Sequence, residues 1–600
     1  MAWADKFNSF LYNTRERVLR SYRNVLGLAT LIAISILIVI YGFELSQKTI
    51  EILFNVLDLI FGLFVFSFLL RLLFNFQRWQ FIRENITESL AMLIILLHGI
   101  TNLLLPFVPI ETLLKSIGFI NYPNVYRVLV TMFLLFIIGI DFVKTGTSNI
   151  FKKVSPPTFF ILSFLALIVL GTILLVLPKM SVEEGSMDLV DALFTAVSAS
   201  CVTGLIVVDT ASYFTFQGQI VLLFLMQLGG LGIISFATFF AFYIGQGVGI
   251  RQQSLIQDFM SSESIFSTQG LIRQIIFFTL FIEMFGAFLL FASWDPSVEF
   301  KDLGERLFYS VFHSVSAFCN AGFALFPEGY YTEQLRFAYF HHLILAALII
   351  MGGLGFGTLQ DLFSPHKLRE RMEKPWVDWK LSTKVVLYTS GALIIIGMIM
   401  ILLLENDNTL KGLQTSEKII DSFFLSVTSR TAGFNTLDTA SLKLPTLIFV
   451  IFLMFIGASP GSTGGGIKTS TFLLIFVSVI ATIKGKDSID LGKRSIPSAL
   501  LYKALTVFAF ASTYNLLGVF VLSIAEPEIA IFDLVFEHVS AFATVGLSTG
   551  ITSELSDMGK LIIMISMFLG RIGTLTLAVA LAGYKEQPSF RYPTAHLMIG

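Results

Sequence analysis

Long apolar runs separated by short polar stretches dominate this chain. Twelve of them approach the roughly 20 residues that an α-helix needs to cross a bilayer, at about 25–46, 52–74, 88–108, 125–145, 157–178, 218–245, 271–293, 338–362, 384–404, 445–482, 501–524 and 559–584. The pattern predicts an all-α polytopic membrane protein. An even count places both ends on one side, and the charges choose that side. Basic residues collect in alternate loops: Arg78 and Arg83; Lys152 and Lys153; Lys367, Arg369, Arg371 and Lys374; Lys484, Lys486, Lys493 and Arg494. By the positive-inside rule these loops and both termini are expected in the cytoplasm. Residues 1–24 are polar, carry five basic residues and lack the apolar run of a secretory signal, so they read as a retained cytosolic end.

Composition narrows the function classes. Of 600 residues, 55% are hydrophobic and 14% charged, against about a quarter charged in soluble chains. A water-soluble globular enzyme is excluded, and membrane lipid is the expected main partner. A net charge of -1 gives no reason to expect nucleic acid. Two cysteines and seven scattered histidines make no metal site or catalytic cluster, so no cofactor and no enzyme activity are expected. Loops opposite the basic ones are acidic, with Glu183, Glu184, Asp188 and Asp191; Asp295, Glu299, Asp302 and Glu305; and Glu526, Glu528 and Asp533. Such a mouth would concentrate cations.

The last eight spans contain a fourfold internal repeat. Between paired spans lies a short apolar segment ending in small residues and a glycine: Phe194 to Leu205, Phe312 to Phe323, Phe423 to Phe434 and Phe536 to Leu547. Each has Phe ten positions before the glycine and Leu or Phe after it, which reads the four phenylalanines, out of 62 in the chain, as wedges holding the short helices. The following spans each carry a glycine-bearing stretch, at 227–233, 351–358, 457–467 and 569–574, read as a break in the helix. The predicted architecture is four parallel helix, pore-loop, helix repeats around a pseudo-fourfold axis. Non-helical backbone at membrane depth is tolerated where it is buried or lines a water-filled path. Four glycine turns around an axis, with helix C-terminal ends aimed at it, would favour a dehydrated cation.

At these residues the chain resembles the Trk/Ktr/HKT superfamily of potassium transporters, over about residues 157 to 600. The ending from Arg591 to Gly600 and the stretch Leu491 to Pro497 are more similar to the Ktr-type membrane subunit than to the larger Trk one. The resemblance implies K+ as the transported ion and a selectivity filter at Thr203, Gly204, Ala321, Gly322, Ala432, Gly433, Val545 and Gly546. Glycine in all four segments is the family's potassium-selective pattern. Only Thr544-Val545-Gly546 resembles the fuller potassium-channel signature, so selectivity weaker than a channel's is expected. The resemblance further implies an intramembrane gating loop of Gly457, Ala458, Ser459, Pro460, Gly461, Ser462, Thr463, Gly464, Gly465, Gly466, Ile467 and Lys468, with Arg571 as its partner. Pro and five glycines agree with a non-helical segment there. It also implies a homodimer and a cytosolic nucleotide-binding regulatory ring of the RCK/KTN type.

Three buried charges draw attention. Arg571 should be surrounded by loop carbonyls or a carboxylate. Glu283 reads as a local structural partner. Arg430, inside the third segment, is expected to point behind the filter toward an acid such as Glu537. The expected organisation is a cytosolic end (1–24), an accessory four-helix bundle (25–150), and repeats at 151–250, 251–365, 366–485 and 486–600. Asp58, Arg71, Arg127 and Asp141 lie at or near membrane depth in the bundle, whose fourth span lacks the regular basic positions of a voltage sensor. A sodium- or proton-coupled potassium symporter and a polytopic membrane enzyme remain as alternatives to a channel-like uptake subunit.

Overall fold

The computed structural model describes residues 25–75, most of 77–96, 156–244 except 183 and 184, and 268–573 except 328, 487 and 493. The fourth expected span with Arg127 and Asp141, acidic Glu183 and Glu184, and the stretch from Arg591 lie outside the described residues.

The fourfold repeat is present as four units of outer helix, pore helix and inner helix. The first comprises Pro156–Leu175, Leu189–Cys201 and Phe216–Ile244; the second Thr268–Ser293, Leu303–Cys319 and Tyr339–Leu354, continued by Phe356–Phe363. The third comprises Leu381–Glu405, Thr415–Thr428 and an inner helix split into Leu444–Phe455 and Thr469–Ile483; the fourth Ser498–Ala525, Ile531–Ala543 and Asp557–Ile572. Among the described residues, five helices are long and apolar enough to cross a membrane unaided, six if the bent pair of the second repeat counts as one span.

The units close into a circle. Each inner helix packs against the next unit's pore helix, and the fourth inner helix packs against the first pore helix. Every seam is an apolar cluster with a pore-helix phenylalanine at its heart: Phe312 with Leu222 and Met226, Phe424 with Leu345 and Ile349, Phe536 with Val450 and Met454, and Phe194 with Ile563 and Met567. The third wedge is therefore Phe424, fully buried, and not the expected Phe423, which is only partly covered.

Part of the acidic pattern has a local cause. Asp188 and Asp302 cap the first two pore helices, accepting from the N–H of Val190 at 3.0 Å and of Glu305 at 2.7 Å. An N-terminal carboxylate satisfies orphan amides and suits the helix dipole. Gln414 and Glu417 form a capping box on the third.

The glycine-bearing stretches of the inner helices differ in use. The second helix breaks at Gly355 with a bend of 104°. The first runs unbroken through Gly229, Gly230 and Gly232, contrary to expectation. There the missing Cβ permits contact: one on Gly229 would strike the Ser200 carbonyl oxygen, as one on Gly352 would strike that of Phe318 and one on Gly570 that of Phe542. Glycine lets three pore-helix ends approach the inner helices closely.

Before the repeats come helices Val25–Gly42 and Gln47–Leu73, and Arg71 of the second pairs with Glu88. The first helix touches the first repeat: Lys179 donates to the Ile40 carbonyl at 3.4 Å, and Gly42 lies against Leu177. Between repeats three and four, Ile489–Leu491 and Arg494–Ile496 pair as a short antiparallel hairpin, with Ile489 opposite Ile496.

Candidate functional site

The C-terminal ends of the four pore helices bring Gly204, Gly322, Gly433 and Gly546 into one ring. All four have left-handed backbone, with φ of 90°, 73°, 78° and 90°. A Cβ on Gly204 would meet the Ala321 carbonyl oxygen at 2.5 Å, and one on Gly322 that of Ala432 at 2.6 Å. One on Gly433 would strike the Val545 carbonyl, and one on Gly546 that of Thr203, closing the circle. Glycine is required twice over, by torsion angle and by the neighbour's oxygen. Thr203, Ala321, Ala432 and Val545 stand next to the four glycines, and these four residues are fully buried.

A second ring of residues, missed in the sequence, holds these turns. Ser198 donates to the Leu205 carbonyl at 2.7 Å, Ser316 to that of Phe323 at 2.8 Å and Thr428 to that of Phe434 at 2.9 Å; Ser540 accepts from the Gly546 N–H at 3.1 Å. The backbone repeats the tie: Thr203, Ala321, Ala432 and Val545 donate N–H to the carbonyls of Ser198, Ser316, Thr428 and Ser540. The signal was available as a hydroxyl residue recurring in every segment.

That tie exposes a broken symmetry. The donor lies five residues after the acceptor in the first, second and fourth segments but four after it in the third. The extra residue is Val202, Asn320 or Thr544, the only non-glycine residues with positive φ among those described. In the third segment it is absent, and Ser429 keeps right-handed backbone. The equal spacing from Phe to glycine hid this deletion because two phenylalanines, Phe423 and Phe424, are adjacent.

Against these turns lies the stretch from Gly457 to Lys468, non-helical as expected. Thr463 reaches the second segment, with its hydroxyl 3.0 Å from the Asn320 amide and 3.2 Å from the Phe318 carbonyl. Gly464 lies against Thr431 of the third segment, and Gly465 against Thr544 of the fourth. The Ser459 N–H donates to the Gly353 carbonyl at 3.1 Å, and the Phe356 N–H to the Gly461 carbonyl at 3.0 Å. Lys468 folds back on the loop, donating to the Gly464 carbonyl at 2.7 Å. Gly461 and Gly466 have positive φ, whereas Gly457 is needed for its contact with the Gly465 carbonyl. Ala458 and Ser459 are buried; Pro460 and Ser462 complete the turn.

Arg571 is 1% exposed and bonded to carbonyls alone, those of Thr463, Gly229 and, at 3.3 Å, Gly230. It ties the loop to the first repeat, so the loop is held by all four. Glu283 has the local partners expected of it: Gln227 donates to it at 3.1 Å. Arg430 points behind the ring but not to Glu537; it donates to the Gly457 carbonyl at 3.2 Å, while Glu537 accepts from Thr552. His313 bridges the Tyr309 carbonyl at 2.7 Å and the Leu325 N–H at 3.1 Å, behind the second turn, and His538 contacts Asn515 and Ser566. Outside the membrane, hydrogen bonds from Ser297 hold the exposed Asp295 carboxyl below its ordinary value, keeping that acid charged.

Comparison with known proteins places the chain in a family. The TrkH family of cation transport proteins matches residues 156–592. The chain is 38% identical to Ktr system potassium uptake protein B of Bacillus subtilis over 75% of its own length and 97% of the relative's. It is 36% identical to the protein of the same name from Vibrio alginolyticus, over 77% and 98% of the two chains. In fold it is similar to the potassium transporter TrkH of Vibrio parahaemolyticus, with a TM-score of 0.56 at 18% identity, covering 79% of this chain and 95% of that one. The family match spans all four repeats, and the chain belongs to the TrkH/Ktr family of cation transport proteins.

Proposed function

We propose that this chain is the membrane subunit of a potassium uptake system, a transporter and not an enzyme, in which ions cross the cytoplasmic membrane through the ring of four glycine turns. The observation that carries the reading is the closed circle Gly204, Gly322, Gly433, Gly546 at the ends of four pore helices. Backbone carbonyls there can replace water around a monovalent cation, and four helix C-terminal ends add negative potential. Thr203, Ala321, Ala432 and Val545 supply the carbonyls next to the glycines. Short turns offer few binding layers, so potassium is favoured over sodium less strongly than in a channel. The stretch from Gly457 to Lys468 is the gate, and Arg571 its partner: a guanidinium beneath the ring adds a barrier that opening must move aside. Flow is passive, down the electrochemical gradient.

The relatives' names place them in a Ktr system, which supports a multi-component assembly. A homodimer regulated by a cytosolic nucleotide-binding ring, with both termini cytoplasmic, completes the proposal. Repeats at 151–250, 251–365, 366–485 and 486–600 form the pore, and 25–150 an accessory bundle.

The test is potassium rescue of an uptake-deficient host. Gly322→Ser and Gly433→Asp should abolish growth at low potassium while the protein still inserts. Normal rescue by inserted variants would refute the ring as the ion path. Coupled symport makes a different prediction: uptake stopping when sodium or the proton gradient is removed at fixed voltage.

A further inference from the structure

Arg430 is a buried cation that the proposed pore does not use. It is 8% exposed, and among the described residues no carboxylate lies within ion-pair distance of it. Its guanidinium donates to the Gly457 carbonyl at 3.2 Å and lies 3.5 Å from the Ser390 hydroxyl. Gly457 begins the non-helical stretch, one residue past Ile456, the cap of the inner-helix half. A buried arginine held by one carbonyl is a charge with few partners, and such a charge is costly to strip of any of them.

The arginine stands in the shortened third segment. The other segments place a left-handed residue at this turn. The third has Arg430 and Thr431 instead, and both touch the loop, Arg430 at its first carbonyl and Thr431 at Gly464. The symmetry is broken in the repeat that carries the loop. The Arg430 Nε has no partner, and the side chain borders a small, partly open cavity of about 20 Å3, room for about one water, lined also by Gly353, Ser390, Ile394, Thr431 and Ala458. That space adjoins both the arginine and Ala458, the loop residue after its partner carbonyl.

We infer that Arg430 is a second latch on the intramembrane loop, a positioning residue that holds the loop closed at its start as Arg571 holds it at Thr463. The inference rests on the reading of that loop as the gate. Opening then requires the Gly457 carbonyl to leave Arg430, and the third segment senses the loop directly.

The experiment is rubidium and sodium flux through the full chain reconstituted in liposomes, comparing wild type, R430Q, R430K and a variant lacking Ser462 to Gly465. A hydrogen bond from a charged donor is worth enough that its loss should raise rubidium flux about tenfold in R430Q, with the rubidium-to-sodium ratio unchanged. R430K, which keeps the charge on a single-point donor, should raise flux less. Unchanged or reduced flux in inserted R430Q and R430K overturns the latch. Raised flux with a collapsed ratio overturns it too, making Arg430 a support of the ring. If the loop deletion leaves flux at the wild-type level, the gate itself is refuted. If deletion raises flux and neither arginine variant does, only the latch falls.

Discussion

Three of the four glycine turns follow one plan and the third does not. In the first, second and fourth, the chain leaves the pore helix through a left-handed Val202, Asn320 or Thr544 before reaching glycine. A non-glycine residue there carries about 1–2 kcal/mol of strain. The third turn omits that residue and the strain with it, yet its glycine joins the ring in the same way, against its neighbour's carbonyl. Ring closure therefore depends on the glycine and on the hydroxyl tie, whereas the path between them is free to vary. The second, third and fourth turns all reach the intramembrane loop, the second and fourth through the left-handed Asn320 and Thr544 and the third through Arg430 and Thr431.

The comparison can be broken at several levels. The largest effect is expected at the ring itself. Gly546→Ala places a Cβ against the Thr203 carbonyl at a φ of 90°, which combines overpacking with left-handed strain, together roughly 2–5 kcal/mol. Rubidium uptake should fall to background, and Gly433→Ala should behave alike although its turn is shorter. Retained uptake in either would separate that repeat from the ring.

Next comes the register of the third repeat. Phe424→Ala should destabilise the protein by about 3–5 kcal/mol, because Phe424 is fully buried in the seam with the second repeat. Phe423→Ala should cost far less, since Phe423 is only partly covered. Thermal unfolding of the detergent-solubilised variants measures the difference; equal losses would restore the uniform ten-residue spacing.

A smaller effect is expected from the hydroxyl ties. Ser316→Ala leaves the buried Phe323 carbonyl without its side-chain donor, a loss of about 1–3 kcal/mol. The rubidium-to-sodium ratio should drop while Ser316→Thr restores it. In the third repeat Thr428→Ser should be silent for the same reason. Smallest of all, Asp302→Ala removes the cap of the second pore helix and should lower stability by about 1 kcal/mol without changing selectivity.

Much of this was legible because it recurs. Four copies of a phenylalanine, small residues and a glycine announced the repeat, and proline with clustered glycines announced the loop. Arg571 was legible from the family resemblance and from the cost of burying it. The features that escaped share a physical cause: sequence records side chains, and the deciding partners were backbone. Arg430 was assigned to a carboxylate because acids carry a name, but it holds a carbonyl, which every residue has. Gly229 and Gly230 read as a break because glycine weakens helices, yet here they admit the Ser200 carbonyl and the Cys319 side chain. The deletion in the third segment was masked by the adjacent phenylalanines.

The central claim is that one ion sits within the four-glycine ring. Anomalous diffraction from rubidium-soaked crystals tests it most directly. A single strong peak on the axis encircled by Gly204, Gly322, Gly433 and Gly546, above the stretch from Gly457 to Lys468, is the predicted result. Rubidium bound elsewhere among the helices, with the ring free of it, would contradict the account.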